Sequence, residues 1–430
     1  MMYDYLKKKI KNSAFIKSFL TLLTGTSIAQ AIPILLSPVL SRIYAPEDFG
    51  LFALFFSIVS AFAVIAGGRY ECAVILPKKD GEALGILKLA FRISMYLAAI
   101  VMVIMVFSEL FLWDHFVISA DLRIWLLIMP IFILMFGLTQ TITNWFVRKK
   151  QFRDIATGRV VQSIVINGSM LVFGFCGFSY WGIFWGNLIG LAIFTLLLFF
   201  IFFKSFNLHK SQIHYSGLKV TAKKYKDFPL ANGPQALIDM FQVNGIIYLI
   251  SAFFSSVITG LYSFAYRLLM SPMNLVGSAL AQVFYQQAAE TYNSGNDIRP
   301  LIKKNIVVSS VIIIPVLLIL MIAGPSVFAV IFGENWREAG EYARILSPWF
   351  CLDFVRAPIS QVPMIVGKIK KMLSFTFIGS IILVTTMLAG GIFLKDIKLT
   401  FIILSVAMSL YTLGIIIWLF RSGKKPDITA

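Results

Sequence analysis

The stretch from Lys204 to Asp227, KSFNLHKSQIHYSGLKVTAKKYKD, is the longest interval between apolar runs in the chain, with six such runs on either side of it. It carries Lys204, Lys210, Lys219, Lys223, Lys224 and Lys226. A basic connection between apolar segments reads as a cytoplasmic loop, because lysine and arginine accumulate in loops that are not translocated. Toward the N-terminus, spans are predicted at 18–41, 49–76, 84–112, 124–147, 158–178 and 181–203. Toward the C-terminus they are predicted at 229–254, 257–285, 302–332, 340–366, 373–394 and 399–420. The expected organisation is a six-helix bundle over residues 1–203, a cytoplasmic linker over 204–227 and a second six-helix bundle over 228–430. The fold class is all-α, a polytopic membrane protein of about twelve transmembrane helices.

Composition points the same way. Of 430 residues, 59% are apolar and 13% charged, whereas soluble domains carry about 25% charged residues. A soluble globular domain, a disordered chain, a fibrous repeat and a disulfide scaffold are all excluded. The 38 basic and 20 acidic residues leave a formal charge of +18. On a water-exposed face that excess would suggest nucleic acid; here it lies between apolar runs, so no nucleic-acid partner is expected. With the N-terminus inside, about 29 cations fall on the cytoplasmic side. About six, Arg42, Arg123, Arg337, Arg344, Lys395 and Lys398, fall on the other, so both termini are expected in the cytoplasm. The first run follows Lys7, Lys8, Lys9, Lys11 and Lys17 and is longer than a signal-peptide core, so it reads as a retained span. Outer connections are about a dozen residues or fewer, which places the activity within the membrane.

Cys72, Cys176 and Cys351 sit in apolar segments, and His115, His209 and His214 in predicted loops, so neither disulfides nor a metal site is expected. No phosphate loop, zinc signature or nucleophile elbow occurs. The chain therefore reads as a non-enzyme without a cofactor, coupling to protons or sodium being open to it.

Several ionisable residues fall inside spans, where facing lipid would cost each about 2.5–3.5 kcal/mol. Asp239 and Arg267 come near the middle of spans seven and eight. They read either as an ion pair that orients two helices, or as a proton- or sodium-linked switch (Asp239) and an anion contact (Arg267). Asp353 and Arg356 are spaced i,i+3 on one helical face, which favours an intrahelical pair. Arg69 and Glu71, two residues apart in span two, cannot pair along one helical face and need other partners; Arg69 can also reach headgroups. Arg42 ends span one at the outer interface. The amides of Gln140, Asn144, Asn187, Gln235, Gln242 and Asn244 serve either sugars or neighbouring helices, the second being the commoner use.

An internal echo appears at an offset of 210 residues: Gly50-Leu51-Phe52-Ala53 opens span two and Gly260-Leu261-Tyr262-Ser263 opens span eight, with Gly67 and Gly277 at the same offset. Six spans per half make the two halves parallel repeats. Span one carries Pro33 and Pro38, and its counterpart opens with Asn232, Gly233 and Pro234. Both are expected to be broken helices, since proline removes a backbone donor, and breaks at corresponding places point to a transport pathway or to packing kinks.

The runs Gly25-Thr26-Ser27-Ile28-Ala29-Gln30, Leu36-Ser37-Pro38-Val39-Leu40-Ser41-Arg42-Ile43-Tyr44 and Pro46-Glu47-Asp48-Phe49-Gly50 stand out, as do Tyr225-Lys226-Asp227-Phe228-Pro229 and Gly260-Leu261-Tyr262 with Pro272. Together they resemble bacterial polysaccharide transporters, the O-antigen and capsule flippases (Wzx-type) of the multidrug/oligosaccharidyl-lipid/polysaccharide exporter superfamily. The resemblance implies two six-helix bundles around a central cavity in the bacterial inner membrane. It implies translocation of undecaprenyl-diphosphate-linked oligosaccharide from the cytoplasmic to the periplasmic leaflet, with a polysaccharide polymerase and a chain-length regulator as partners beside membrane lipid. Candidate anion contacts are then Arg267, Arg356, Arg69 and Arg42; candidate coupling or ion-pair residues are Asp239, Asp353 and Glu71; candidate gating positions are Pro33, Pro38, Gly233 and Pro234. The competing readings are a cation-coupled multidrug antiporter of the same superfamily, which an acid-rich cavity would favour, and a membrane polymerase or ligase of lipid-linked glycans, which would need a large outer loop. A receptor or scaffold would show tightly packed bundles without a cavity.

Overall fold

A computed structural model describes residues 14–111, 113, 120–206 and 218–424. Lys7, Lys8, Lys9, Lys11, Lys210, Lys425 and the three histidines lie outside the described residues. Among the described residues there is no strand, and twelve helices reach 18 residues or more. The first unit's long helices are α1 (Ala14–Ile43), α2 (Pro46–Ala63, whose first turn belongs elsewhere), α3 (Asp80–Phe111), α4 (Ala120–Arg148), α5 (Phe152–Phe175) and α6 (Ser179–Phe206). After the short α7 (Leu218–Lys224) come α8 (Gly233–Phe253), α9 (Ser256–Asn293), α10 (Arg299–Phe332), α11 (Arg337–Arg356), the one-turn α12 (Val362–Ile365), α13 (Ile369–Ala389) and α14 (Ile397–Ser422). Ten of them are long and apolar enough to cross a membrane, and residues 228–241 with 244–253 make an eleventh if counted as one broken span. The twelfth, α11, is the polar one. It stops at Arg356 rather than near 366, where Pro358 and Pro363 open a 3₁₀ turn and α12 in turn.

The chain divides into two compact units, residues 1–44 with 51–244 and residues 45–50 with 245–430. The first unit thus runs past the connection at 204–227 into α8, whereas the sequence reading began the second bundle at Phe228. Local bonds explain why. Tyr225 donates through its hydroxyl to Glu82 Oε1 at 3.0 Å, Lys224 pairs with the same carboxylate, and Tyr70 donates to the Ala222 carbonyl at 3.1 Å. Tyr225 and Phe228 also pack against a core built on Val74, Trp145, Phe146 and Phe202.

Inside the first unit a second core gathers Phe55, Trp125, Phe132 and Phe184, with Trp125 and Phe184 stacked at 4.9 Å and Phe55 edge-on to Phe132 at 5.2 Å. Helix α6 meets α5 through Gly186 and Gly190, one turn apart: a Cβ on either would strike Met170 or Ile166 of α5. Small residues one turn apart let membrane helices close on each other without a hydrophobic drive.

The expected break at Pro33 and Pro38 does not occur, and α1 runs through both. Each proline orphans the carbonyl four residues back. The Ala29 carbonyl is satisfied by the Ser163 hydroxyl of α5 at 2.7 Å, and the Ile34 carbonyl by the Ser37 hydroxyl at 2.6 Å. With both acceptors occupied, the helix keeps its course.

In the second unit Phe49, Phe264 and Trp336 form one ring cluster, Phe264 and Trp336 lying 4.1 Å apart and Phe49 standing edge-on to each at 5.4 Å. Beside it the two glycines of the internal echo meet. A Cβ on Gly50 would lie 1.8 Å from the Ser256 carbonyl oxygen, and one on Gly260 would lie 1.7 Å from that of Pro46. Gly50 stands to Ser256 as Gly260 stands to Pro46, so the contact obeys the 210-residue offset. Gly67 and Gly277 show no such relation: the first lies in a turn, the second within α9.

Helix α14 is capped by Asp396, whose carboxylate accepts from the backbone N–H of Lys398 at 2.8 Å and of Leu399 at 3.2 Å. Those donors have no partner within the helix. Asp396→Ala should therefore cost about 1 kcal/mol, read as a lowered thermal midpoint of the detergent-solubilised protein; an unchanged midpoint would mean that water replaces the cap without loss.

Candidate functional site

Span two was expected to be one helix to residue 76. Helix α2 instead stops at Ala63, and the chain turns through Gly68 (φ 60°) and Arg69 (φ 61°) into a 3₁₀ turn, Tyr70–Ile75. The left-handed region is open to Gly68 without a steric penalty but strained for Arg69, and the Arg69 side chain supplies the compensation. Its Nε and Nη2 donate to the Asn232 Oδ1 at 2.8 and 2.7 Å, and its Nη1 donates to the Val64 carbonyl at 3.3 Å. Asn232 closes the π turn Phe228–Asn232, which passes directly into α8 at Gly233 and Pro234; the bend of about 50° lies further along, between Phe241 and Asn244, rather than at the Gly233–Pro234 pair where it was expected. A Cβ on Gly233 would find only Arg69 Cγ, at 3.9 Å.

Because the helix has ended, Arg69 and Glu71 do pair, contrary to the helical-spacing argument: Nη1 lies 3.8 Å from Oε1. Glu71 is completely buried, and neither of its carboxylate oxygens finds a hydrogen-bond donor. Arg69 is thus a latch whose charge also balances a buried acid, rather than a free anion contact.

The first unit also carries an open-sided hollow of about 600 Å³. Helix α4 lines it with Phe136, Gln140, Thr143 and Asn144, spaced on one face. Helix α2 contributes Phe56 and Ser60, α5 contributes Arg159, α6 Phe194 and α8 Met240. Gln140, Thr143 and Asn144 make no hydrogen bond to any described residue, and Arg159 has no acidic partner among them; no Asp or Glu lines the space. Arg159 is exposed although it lies seven residues, or about 10 Å, inside α5. Its place among the residues that line the hollow is what turns it to that space.

The sequence reading missed Arg159 because it began the fifth span at 158 and counted this residue with the loop cations. The available signal was the set Phe152, Ile155 and Ala156, whose i, i+3, i+4 spacing carries the helical pattern back across Arg153 and Asp154. The amides divide: Gln140 and Asn144 face the hollow, Asn187 bonds to its own helix, and Asn244 donates to Ser60 Oγ at 3.2 Å.

The remaining candidates do not converge on this space. Asp239, exposed on α8 in the first unit, and Arg267, exposed on α9 in the second, have no ion-pair partner among the described residues of their own units. Arg356 is held by Asp353 of the same helix through Nε at 2.8 Å and Nη2 at 2.6 Å. Arg42 is exposed in the last turn of α1, where a cation favours the helix C-terminus. Among the described residues no group of His, Cys, Asp and Glu could hold a metal ion.

The family model of a polysaccharide biosynthesis protein matches residues 39–341. The chain belongs to that family. No curated protein matches it. Among solved structures, it is similar to an inward-facing multidrug resistance MATE family transporter of the MOP superfamily, with a TM-score of 0.67, 14% identity and coverage of 94% of this chain and 96% of that one. It is also similar to a MOP superfamily transporter from Pyrococcus furiosus, described as having a binding pocket of reversed polarity, with a TM-score of 0.62, 13% identity and 95% of each chain covered. An outward-facing MATE transporter follows with a TM-score of 0.61, 14% identity, 95% of this chain and 96% of that one. This member of the polysaccharide biosynthesis family is therefore a multi-pass membrane protein with the fold of a MOP-superfamily transporter.

Proposed function

We propose that the protein is a flippase, not an enzyme, that moves undecaprenyl-diphosphate-linked oligosaccharide from the cytoplasmic to the periplasmic leaflet of the bacterial inner membrane by alternating access. It would serve O-antigen, capsule or exopolysaccharide assembly, with both termini in the cytoplasm and a polymerase and chain-length regulator as downstream partners. The observation that carries this reading is the hollow in the first unit: among the described residues its arginine has no acidic partner, Gln140, Thr143 and Asn144 make no hydrogen bond, and no Asp or Glu lines it. A charged sugar head is excluded from hydrocarbon by its desolvation, whereas the prenyl tail is at home there. At an effective dielectric near 20, an arginine about 4 Å from an anion offsets about 4 kcal/mol of that penalty before its own desolvation is counted. The drug-extruding alternative favours acids in the cavity, and this lining has none.

A proton or sodium gradient would drive the cycle, with the exposed Asp239 as the coupling carboxylate. The full chain in proteoliposomes should expose a dye-labelled, short-prenyl diphosphate disaccharide to an external, membrane-impermeant quencher, beyond the half accessible in empty vesicles. No gain over empty vesicles would sink the flippase reading, and ethidium efflux without glycan movement would transfer it to the antiporter. Transport indifferent to both pH and sodium would remove the role given to Asp239.

A further inference from the structure

We infer that the hollow of the first unit seats one acidic sugar residue of the transported glycan, its carboxylate on Arg159, its hydroxyls on Gln140, Thr143 and Asn144, and its apolar ring face on Phe136. The inference rests on the flippase reading and goes past it, by assigning this space to the sugar and not to the diphosphate. Four features carry it. The volume, about 600 Å³, suits a small ligand. The polar groups sit on one wall: Gln140, Thr143 and Asn144 share a face of α4, and Arg159 stands at the same depth on α5, the two helices being joined by a three-residue turn. Counted from that turn, Gln140 is about 12 Å and Arg159 about 10 Å along their helices.

The opposite character is also present. Phe56 and Phe136 meet edge to face at 5.9 Å, and Phe56 is exposed. Phe136 lies one turn from Gln140 on the same face of α4, so an apolar ring surface adjoins the amides and hydroxyls; a pyranose, with C–H bonds on its ring face and hydroxyls at its rim, matches that combination. The charge count decides the sugar's class. A single unpaired guanidinium neutralises a single carboxylate and can hold it by two parallel N–H bonds. A diphosphate would leave net negative charge in a space otherwise lined by carbon and neutral groups, which burial disfavours. A prenyl chain would strand four polar side chains, and an organic cation would face Arg159.

The test uses the full chain in nanodiscs and three probes: methyl β-glucuronide, methyl β-glucoside and inorganic pyrophosphate, with binding read by saturation-transfer NMR and competition. The glucuronide should bind about tenfold more tightly than the glucoside, a difference of about 1.4 kcal/mol, and pyrophosphate should not displace it. Arg159→Gln should erase the preference while leaving glucoside binding in place, and Gln140→Ala should weaken both glycosides alike. Equal affinity for the two glycosides, displacement by pyrophosphate, or a preference that survives Arg159→Gln would each overturn the assignment. Vesicle transport of a lipid-linked glycan is scored separately: a protein that transports but shows no glucuronide preference retains the flippase reading and loses this one.

Discussion

Gly260→Ala should destabilise the protein by about 3 kcal/mol or more, at or above the upper end of ordinary overpacking, and Gly50→Ala should do the same. The built Cβ atoms fall 1.7 and 1.8 Å from backbone carbonyl oxygens, and a backbone oxygen cannot rotate away as a side chain can. Relief would require α2 and α9 to separate at their first turns, which would also pull Phe49 from Phe264 and Trp336. The control lies within the same helix. A Cβ on Gly277 meets nothing nearer than 3.7 Å, so Gly277→Ala should be neutral or gain up to about 1 kcal/mol from helix propensity. Size-exclusion profiles and thermal midpoints of the solubilised variants decide it. Comparable midpoints for Gly260→Ala and Gly277→Ala would show that the crossing tolerates a methyl group.

Arg69→Ala should be comparably damaging, by about 3–5 kcal/mol, the usual cost of removing one partner of a buried charge pair. The loss has three parts: Asn232 Oδ1 loses both of its donors, Glu71 keeps its burial without a counter-charge, and the left-handed backbone at residue 69 loses the bonds that hold it. Glu71→Gln removes the acid at nearly constant volume, so the double variant Arg69→Ala/Glu71→Gln should be more stable than Arg69→Ala alone. Asn232→Ala should cost less than either, because it strands no charge. Denaturation midpoints of the unsubstituted protein, Arg69→Ala, Glu71→Gln and their double form a double-mutant cycle; additive Arg69 and Glu71 effects would mean that the two groups do not interact at 3.8 Å.

The number of spans was legible because crossing a bilayer demands a length of apolar sequence that no other requirement erases. The Asp353–Arg356 pair was equally readable, since i,i+3 spacing on a helix leaves the two side chains adjacent. Span two misled because Val64 to Leu76 remains apolar while its backbone leaves the helix: hydropathy records solvent preference and is blind to the positive φ at Gly68 and Arg69. Proline misled in the opposite sense. Whether it breaks α1 depends on whether Ser163, on another helix, reaches the orphaned carbonyl of Ala29, and such a partner is invisible along the chain. Arg159 was lost to a boundary error of six residues, which moved a cavity cation into a loop.

The allotment of Ala45–Gly50 to the second unit, between Tyr44 and Leu51 of the first, means that the polypeptide passes from one unit to the other at three places rather than one. A chain severed between Phe206 and Leu218 would yield two fragments, each owning a piece of both units. The N-terminal fragment would hold Phe49, which completes a ring cluster of the C-terminal one; the C-terminal fragment would hold Asn232, which receives the arginine of the N-terminal one. Each fragment would keep its main core but lack these pieces, so the protein is interlaced by its own covalent path.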